Sequence, residues 1–122
     1  MKSLHLPGMV ARDPLMGNLF ENMVIVEALK TRYNAGKDAG LYFFRDSNGM
    51  EIDLLQSSGR KLYPFEIKAA RTYSSDFAKN IKNFSKFNAE TANGCVIYSG
   101  EQEQKVEDIE LINFVNTGKI IH

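Results

Sequence analysis

The spacing of hydrophobic and polar positions changes several times along this chain, and each change predicts an element. Residues 1–16 carry Pro7, Gly8 and Pro14 without a sustained period, which predicts an irregular arm or linker remnant ahead of a domain over 17–122. In "NLFENMVIVEALKTRY", Asn18 to Tyr33, apolar side chains cover most of a helical circumference, with Asn18 as N-cap and Glu21 three residues on. A helix greasy on so many sides is expected to be central and buried. "LYFFRDSNGMEIDLL" then reads as a hairpin, because Asn48-Gly49 accepts the positive φ of a two-residue turn. A third strand over about Leu62 to Ala69 follows the polar loop "QSSGRK". Ser74 or Ser75 caps a second helix reaching about Asn88, with Phe77, Ile81, Phe84 and Asn88 on one side and Lys79, Lys82 and Lys86 on the other. "GCVIYS" and "IELINFVN" supply two more strands. The order is helix, three strands, helix, two strands, an α/β (α+β) arrangement with a central mixed sheet flanked by helices.

The chain of 122 residues is long enough for one core of moderate size and too short for two domains. Its 15 basic and 15 acidic side chains cancel, which argues against a chain that binds nucleic acid by its overall field. The balance is local: Arg60 to Lys86 is mostly basic, and Glu101 to Glu110 mostly acidic. The single cysteine, Cys95, lies in an apolar run and reads as core filler, so no internal disulfide forms and a reducing cytoplasm is the expected setting. No apolar run approaches the ~20 residues that span a bilayer.

Against this background, Asp53, Glu66 and Lys68 stand out as charges inside runs that otherwise read as buried strand. Alternation puts Glu51 with Asp53 on one face of the second strand and Glu66 with Lys68 on one face of the third. If the strands are neighbours, two carboxylates and an ammonium converge. Such carboxylates raise each other's pKa unless a cation intervenes, and one or two of them with water and substrate phosphate are the usual way to hold Mg²⁺. Lys68 is then placed to orient water or stabilise charge on a phosphodiester. Glu21 lies at the helical angle of Val24, Ile25 and Ala28, which should pack on the sheet. Glu51 reads first as a cross-strand partner.

Helix, three strands, helix, strand, with Glu21 on the first helix, Asp53 on the second strand and "EIK" (Glu66, Ile67, Lys68) on the third, resembles the PD-(D/E)XK restriction-endonuclease-like superfamily. More narrowly, "GNLFENMVIVEAL", "YFFRDSNGMEIDLL" and "PFEIKAA" are similar to the domain of unknown function at the C-terminus of many prokaryotic AAA-type ATPases. The resemblance spans Gly17 to Ser99. It implies a restriction-endonuclease-like core, Mg²⁺ or Mn²⁺ held by Asp53 and Glu66 with Glu21 as a further acidic ligand, Lys68 as catalytic lysine, and DNA as substrate. The superfamily's proline before the aspartate is absent, since Ile52 precedes Asp53. No G-x-x-x-x-G-K-[ST] occurs, so the resemblance implies a C-terminal domain excised from a larger chain whose ATPase domain lies upstream.

Other readings of the same residues stand beside this one. An E-x-K triplet alone is common, and Glu21 also suits a capping box or the helix dipole. Lys79, Lys82 and Lys86, with Arg71, are either the wet side of an amphipathic helix or a rail for phosphates. His5 and His122 have no partners in sequence that would make a zinc site or a nucleophilic triad. The functional alternatives are a DNA nuclease-like domain, a non-cleaving nucleic-acid or protein-binding module serving an ATPase, and a structural ion-pair network.

Overall fold

The computed structural model describes residues 14–38 and 40–122. Helix α1 spans Pro14–Asn34 and opens on a proline, whose missing N–H costs nothing in a first turn. Asn18 therefore lies inside the helix and does not cap it, and residues 14–16 of the expected arm are helical; the rest of that arm, His5 included, is outside the described residues. Val24 and Ala28 of α1 are buried against the sheet, with Phe20 and Ile25 partly covered. Leu15, Leu19, Met23 and Val26 remain 41–48% exposed, so the helix is not buried all round. A sheet offers one flat face, and nothing among the described residues covers the other side of α1.

Strands β1 (Leu41–Arg45), β2 (Glu51–Ser58) and β3 (Lys61–Lys68) pair antiparallel in succession. The first hairpin does not use a two-residue turn. Asp46 Oδ1 accepts from Asn48 N at 3.0 Å and Met50 N at 2.8 Å, and in this loop Gly49 alone takes positive φ, at 88°. The second hairpin is the tight one. "QSSGRK" is mostly strand, closed by Gly59-Arg60 with Gly59 at φ 63° between the paired Ser58 and Lys61.

Ser74 caps a 3₁₀ turn, Ser75–Ala78, by accepting from Asp76 N, and the turn leads into α2 (Lys79–Phe87), where Ile81 and Phe84 are buried. Strands β4 (Cys95–Tyr98), β5 (Gln104–Val106) and β6 (Ile109–Asn113) follow, then a 3₁₀ turn and the short α3 (Thr117–Ile120). The six strands form one sheet in the order β1-β2-β3-β4-β6-β5, with β3, β4 and β6 mutually parallel in sequence and the other pairs antiparallel. All four residues of β4 are buried, as a continuous apolar run covered on both faces requires. The expected mixed α+β architecture is the observed one, with three helices flanking the sheet. Strand β5 was not expected: its turn places Glu107 and Asp108 at φ 50° and 70°, where no glycine signals it.

One core layer joins Val24 and Ala28 of α1 to Leu54, Phe65, Ile67, Ile97 and Ile121. The other joins Ala78, Ile81 and Phe84 to Ile52, Leu55, Val96, Tyr98 and Leu111. Cys95 is filler in the first, and burial pushes its thiol pKa up. Fully buried Gln56 ties the end of the described chain to the sheet: its Nε2 donates to His122 O at 2.8 Å and its Oε1 accepts from His122 N at 3.1 Å. Among the described residues no helix is long and apolar enough to cross a membrane.

Candidate functional site

The site starts from a break in β2. Tyr42 pairs with Leu55 and Phe44 with Ile52, so two residues, Asp53 and Leu54, stand opposite the single Phe43. This is a β-bulge, and it reverses the alternation: Ile52 packs in the α2 layer, while Leu54, two residues on, packs in the α1 layer. The pairing of β2 with β3 runs from Ser58↔Lys61 to Leu54↔Phe65. Beyond it, Asp53 Oδ2 accepts from the main-chain N–H of Ile67 at 2.9 Å. A side-chain carboxylate thus occupies the gap between two strands, next to the residue that precedes Ile67.

That residue is Glu66, 1% exposed. It shares register with Val96, which places it on the α2 side of β3, with Lys68 beside Tyr98 two residues on. Burial, then the hydrogen bond with Asp53 and its negative charge, push the Glu66 carboxyl up to about 9, against the opposing pull of Lys68 and Asn80. Its Oε1 is buried, with no hydrogen-bond partner among the described residues. Glu66 therefore keeps a proton that an ordinary carboxyl releases at neutral pH.

Glu21 of α1 is half-buried, and its carboxyl is raised by burial and by Asp53, with Lys68 lowering it and Glu51 raising it further. Glu21, Asn18, Arg45, Glu51 and Asp53 line a cleft of about 530 Å³ between α1 and the first hairpin. The four residues singled out in the sequence, Glu21, Asp53, Glu66 and Lys68, come together in one electrostatic group. Glu51 is the cross-strand partner of Arg45, with Arg45 Nε 2.8 Å from its Oε1.

The donor chemistry of the Asp53–Glu66 pair fits a hard divalent cation. The Asp53 charge and burial together disfavour ionised Glu66 unless a cation is present, and one Glu66 oxygen has no partner among the described residues. A ready-made cage is not present: among the described residues no three His, Cys, Asp or Glu side chains are grouped so as to hold an ion. Glu21 is thus a neighbour of the pair and is not gathered with it into a ligand set.

The lysines divide. Lys82 pairs with Glu107 in the β5–β6 turn, and that ion pair takes its charge out of the expected rail. Lys79 and Lys86, seven residues apart, share a groove of about 700 Å³ with Asn80, Asn83 and Phe87. Arg71 lines a different cavity, of about 780 Å³, with Ser99, Gly100 and Asn113 near the ends of the parallel strands. Asn80 was not foreseen as a site residue. Its signal in the sequence was only its place one residue after Lys79, and its influence on Glu66 depends on how α2 crosses the sheet.

No curated protein and no solved structure matches this chain significantly. The model of one family, described as Domain of unknown function (DUF4143), matches residues 16–117. That span runs from the third residue of α1 to the first of α3 and holds all four residues of the site, and the chain belongs to the DUF4143 family.

Proposed function

We propose that this is a metal-dependent nuclease-like domain of PD-(D/E)XK type acting on DNA phosphodiesters, and that it serves as the C-terminal module of an AAA-type ATPase. The observation that carries the reading is the buried Glu66 carboxyl, with an oxygen that has no partner among the described residues, set against Asp53 and two residues before Lys68 on the same strand. A structural ion pair has no use for a carboxyl that must stay neutral; a ligand awaiting a cation does. Asp53 and Glu66 would hold Mg²⁺ or Mn²⁺, which supplies Lewis-acid polarisation of the scissile phosphate. Glu66 gives up its proton to act as ligand, so binding strengthens as pH rises. Lys68 would orient the water whose oxygen attacks phosphorus while the proton that water loses passes to solvent, and would place its charge near the developing negative oxygens. The phosphorus–oxygen bond to the leaving strand breaks, and that oxygen takes up a proton from solvent. Glu21 lies across the cleft from Asp53, where it supports the field.

Cleavage of plasmid and branched DNA in Mn²⁺ tests this, with wild type set against Asp53→Ala and Lys68→Ala. Both variants should lose most turnover; equal activity in all three proteins refutes the reading.

A second reading, a binding module that serves the ATPase without cleaving, is favoured by the neutral net charge and by the lack of a three-ligand group among the described residues. It calls for salt-dependent DNA binding or self-association with no metal-dependent turnover. Turnover in Mn²⁺ that Asp53→Ala abolishes excludes it.

A further inference from the structure

The groove between α2 and the tip of the first hairpin is not used by the hydrolytic residues, yet it leads to them. Its α2 wall carries Lys79, Asn80, Asn83 and Lys86, and its far wall carries Asn48 and Met50 of the hairpin loop. Lys79 and Lys86 stand ~10 Å apart along the helix, both exposed. The acid in the groove, Asp46, has its Oδ1 turned onto the amides of Asn48 and Met50. At one end Phe87 is 76% exposed, a large bare ring at the close of a helix whose other aromatic, Phe84, is buried. At the other end Asn80 is close enough to Glu66 to act on its charge. Cations, amides and a bare aromatic ring along one channel form the combination that tracks a sugar-phosphate backbone and stacks its bases. Stacking on Phe87 requires an unpaired base, which a duplex does not offer.

We propose that this groove seats a single strand of DNA, its phosphates on Lys79 and Lys86 and one base stacked on Phe87, and feeds that strand past Asn80 to Glu66. The inference rests on the nuclease reading for its direction, and deepens it by naming single-stranded DNA as the substrate class. Lys82, paired with Glu107, takes no part.

The experiment is fluorescence anisotropy of a labelled short oligodeoxythymidylate and of a labelled duplex of equal length, in EDTA so that binding is read without cleavage. The single strand should bind more tightly than the duplex, and binding should fall with salt. Phe87→Ala should weaken single-strand binding about tenfold. Lys79→Ala and Lys86→Ala should each weaken it and flatten the salt slope by ~0.7. Lys30→Ala, on α1 in an ion pair with Glu27, should leave it unchanged. All of these positions are exposed, and circular dichroism checks that each variant folds. Duplex binding as tight as single-strand binding, no effect of Phe87→Ala, or an equal loss in Lys30→Ala overturns the proposal. The two readings fail separately. Phe87-dependent single-strand binding without turnover in Mn²⁺ sinks the nuclease and keeps the groove, whereas turnover with no strand preference and no Phe87 dependence sinks the groove and keeps the nuclease.

Discussion

Replacing Glu66 with Gln should stabilise the protein at alkaline pH and leave its stability at acid pH nearly unchanged. In the unfolded chain Glu66 titrates at its ordinary 4.5, whereas in the folded chain burial, then Asp53, hold it up to about 9. Between those values the folded state keeps a proton that the unfolded state has released. Stability is therefore fully present below about pH 4.5 and declines as pH rises, by about 1.4 kcal/mol per unit at most. From pH 5 to pH 8 that slope gives about 4 kcal/mol, and local relaxation with water entry brings the expectation to about 2–4 kcal/mol. Gln has nearly the same shape, carries no charge and does not titrate, so the variant escapes this slope. Urea unfolding followed by far-ultraviolet circular dichroism, at about pH 5, 6.5 and 8, measures both proteins. The difference, variant minus wild type, should climb from near zero to about 2–4 kcal/mol across the series, with the same m-value. Parallel profiles, or a difference that shrinks toward pH 8, refute the claim that Glu66 is held protonated by its surroundings.

Three further outcomes follow from the same structure. Saturating Mn²⁺ at about pH 8 should raise the wild-type Tm by several degrees, ~2.7 kcal/mol at a hundredfold excess over Kd, with a smaller rise near pH 5.5 and none in Asp53→Ala; a shift of the same size at both pH values counts against Glu66 as ligand. Gln56→Ala removes both hydrogen bonds to the His122 main chain and leaves a buried void, so urea unfolding should show a loss of about 2–4 kcal/mol. Asp108 sits at φ 70°, which glycine adopts freely, so Asp108→Gly should gain about 1 kcal/mol by the same assay.

The order of elements and the four site residues were legible because they rest on local rules. Periodicity marked α1, α2, β3 and β4, and charges inside apolar runs marked Asp53, Glu66 and Lys68. Where the reading failed, a specific side-chain contact or the tertiary setting prevailed over the local pattern. Asn48-Gly49 looked like a two-residue turn, but the Asp46 carboxylate caps a longer loop and only Gly49 takes the left-handed conformation. Glu107-Asp108 looked like nothing of the kind, yet it closes a tight hairpin with Glu107 paired to Lys82 of another element. The apolar coat of α1 suggested complete burial, while the fold supplies one sheet face to cover it. Gln56 gave no sign of its role, since its partner is the main chain 66 residues away.

By itself, then, the sequence determined which side chains are available for chemistry and the inward faces of the regular stretches such as α2 and β3, because hydrophobic periodicity and turn propensities act over a few residues. Tertiary structure alone decided how Asp53 meets Glu66. Regular alternation keeps Asp53 on the α1 side, and it reaches Glu66 because a bulge breaks the ladder and opens the Ile67 N–H to its carboxylate. The proton on Glu66 is likewise a property of the assembled site: isolation from water and a second carboxylate raise its pKa, and neither exists until the strands and α2 have packed.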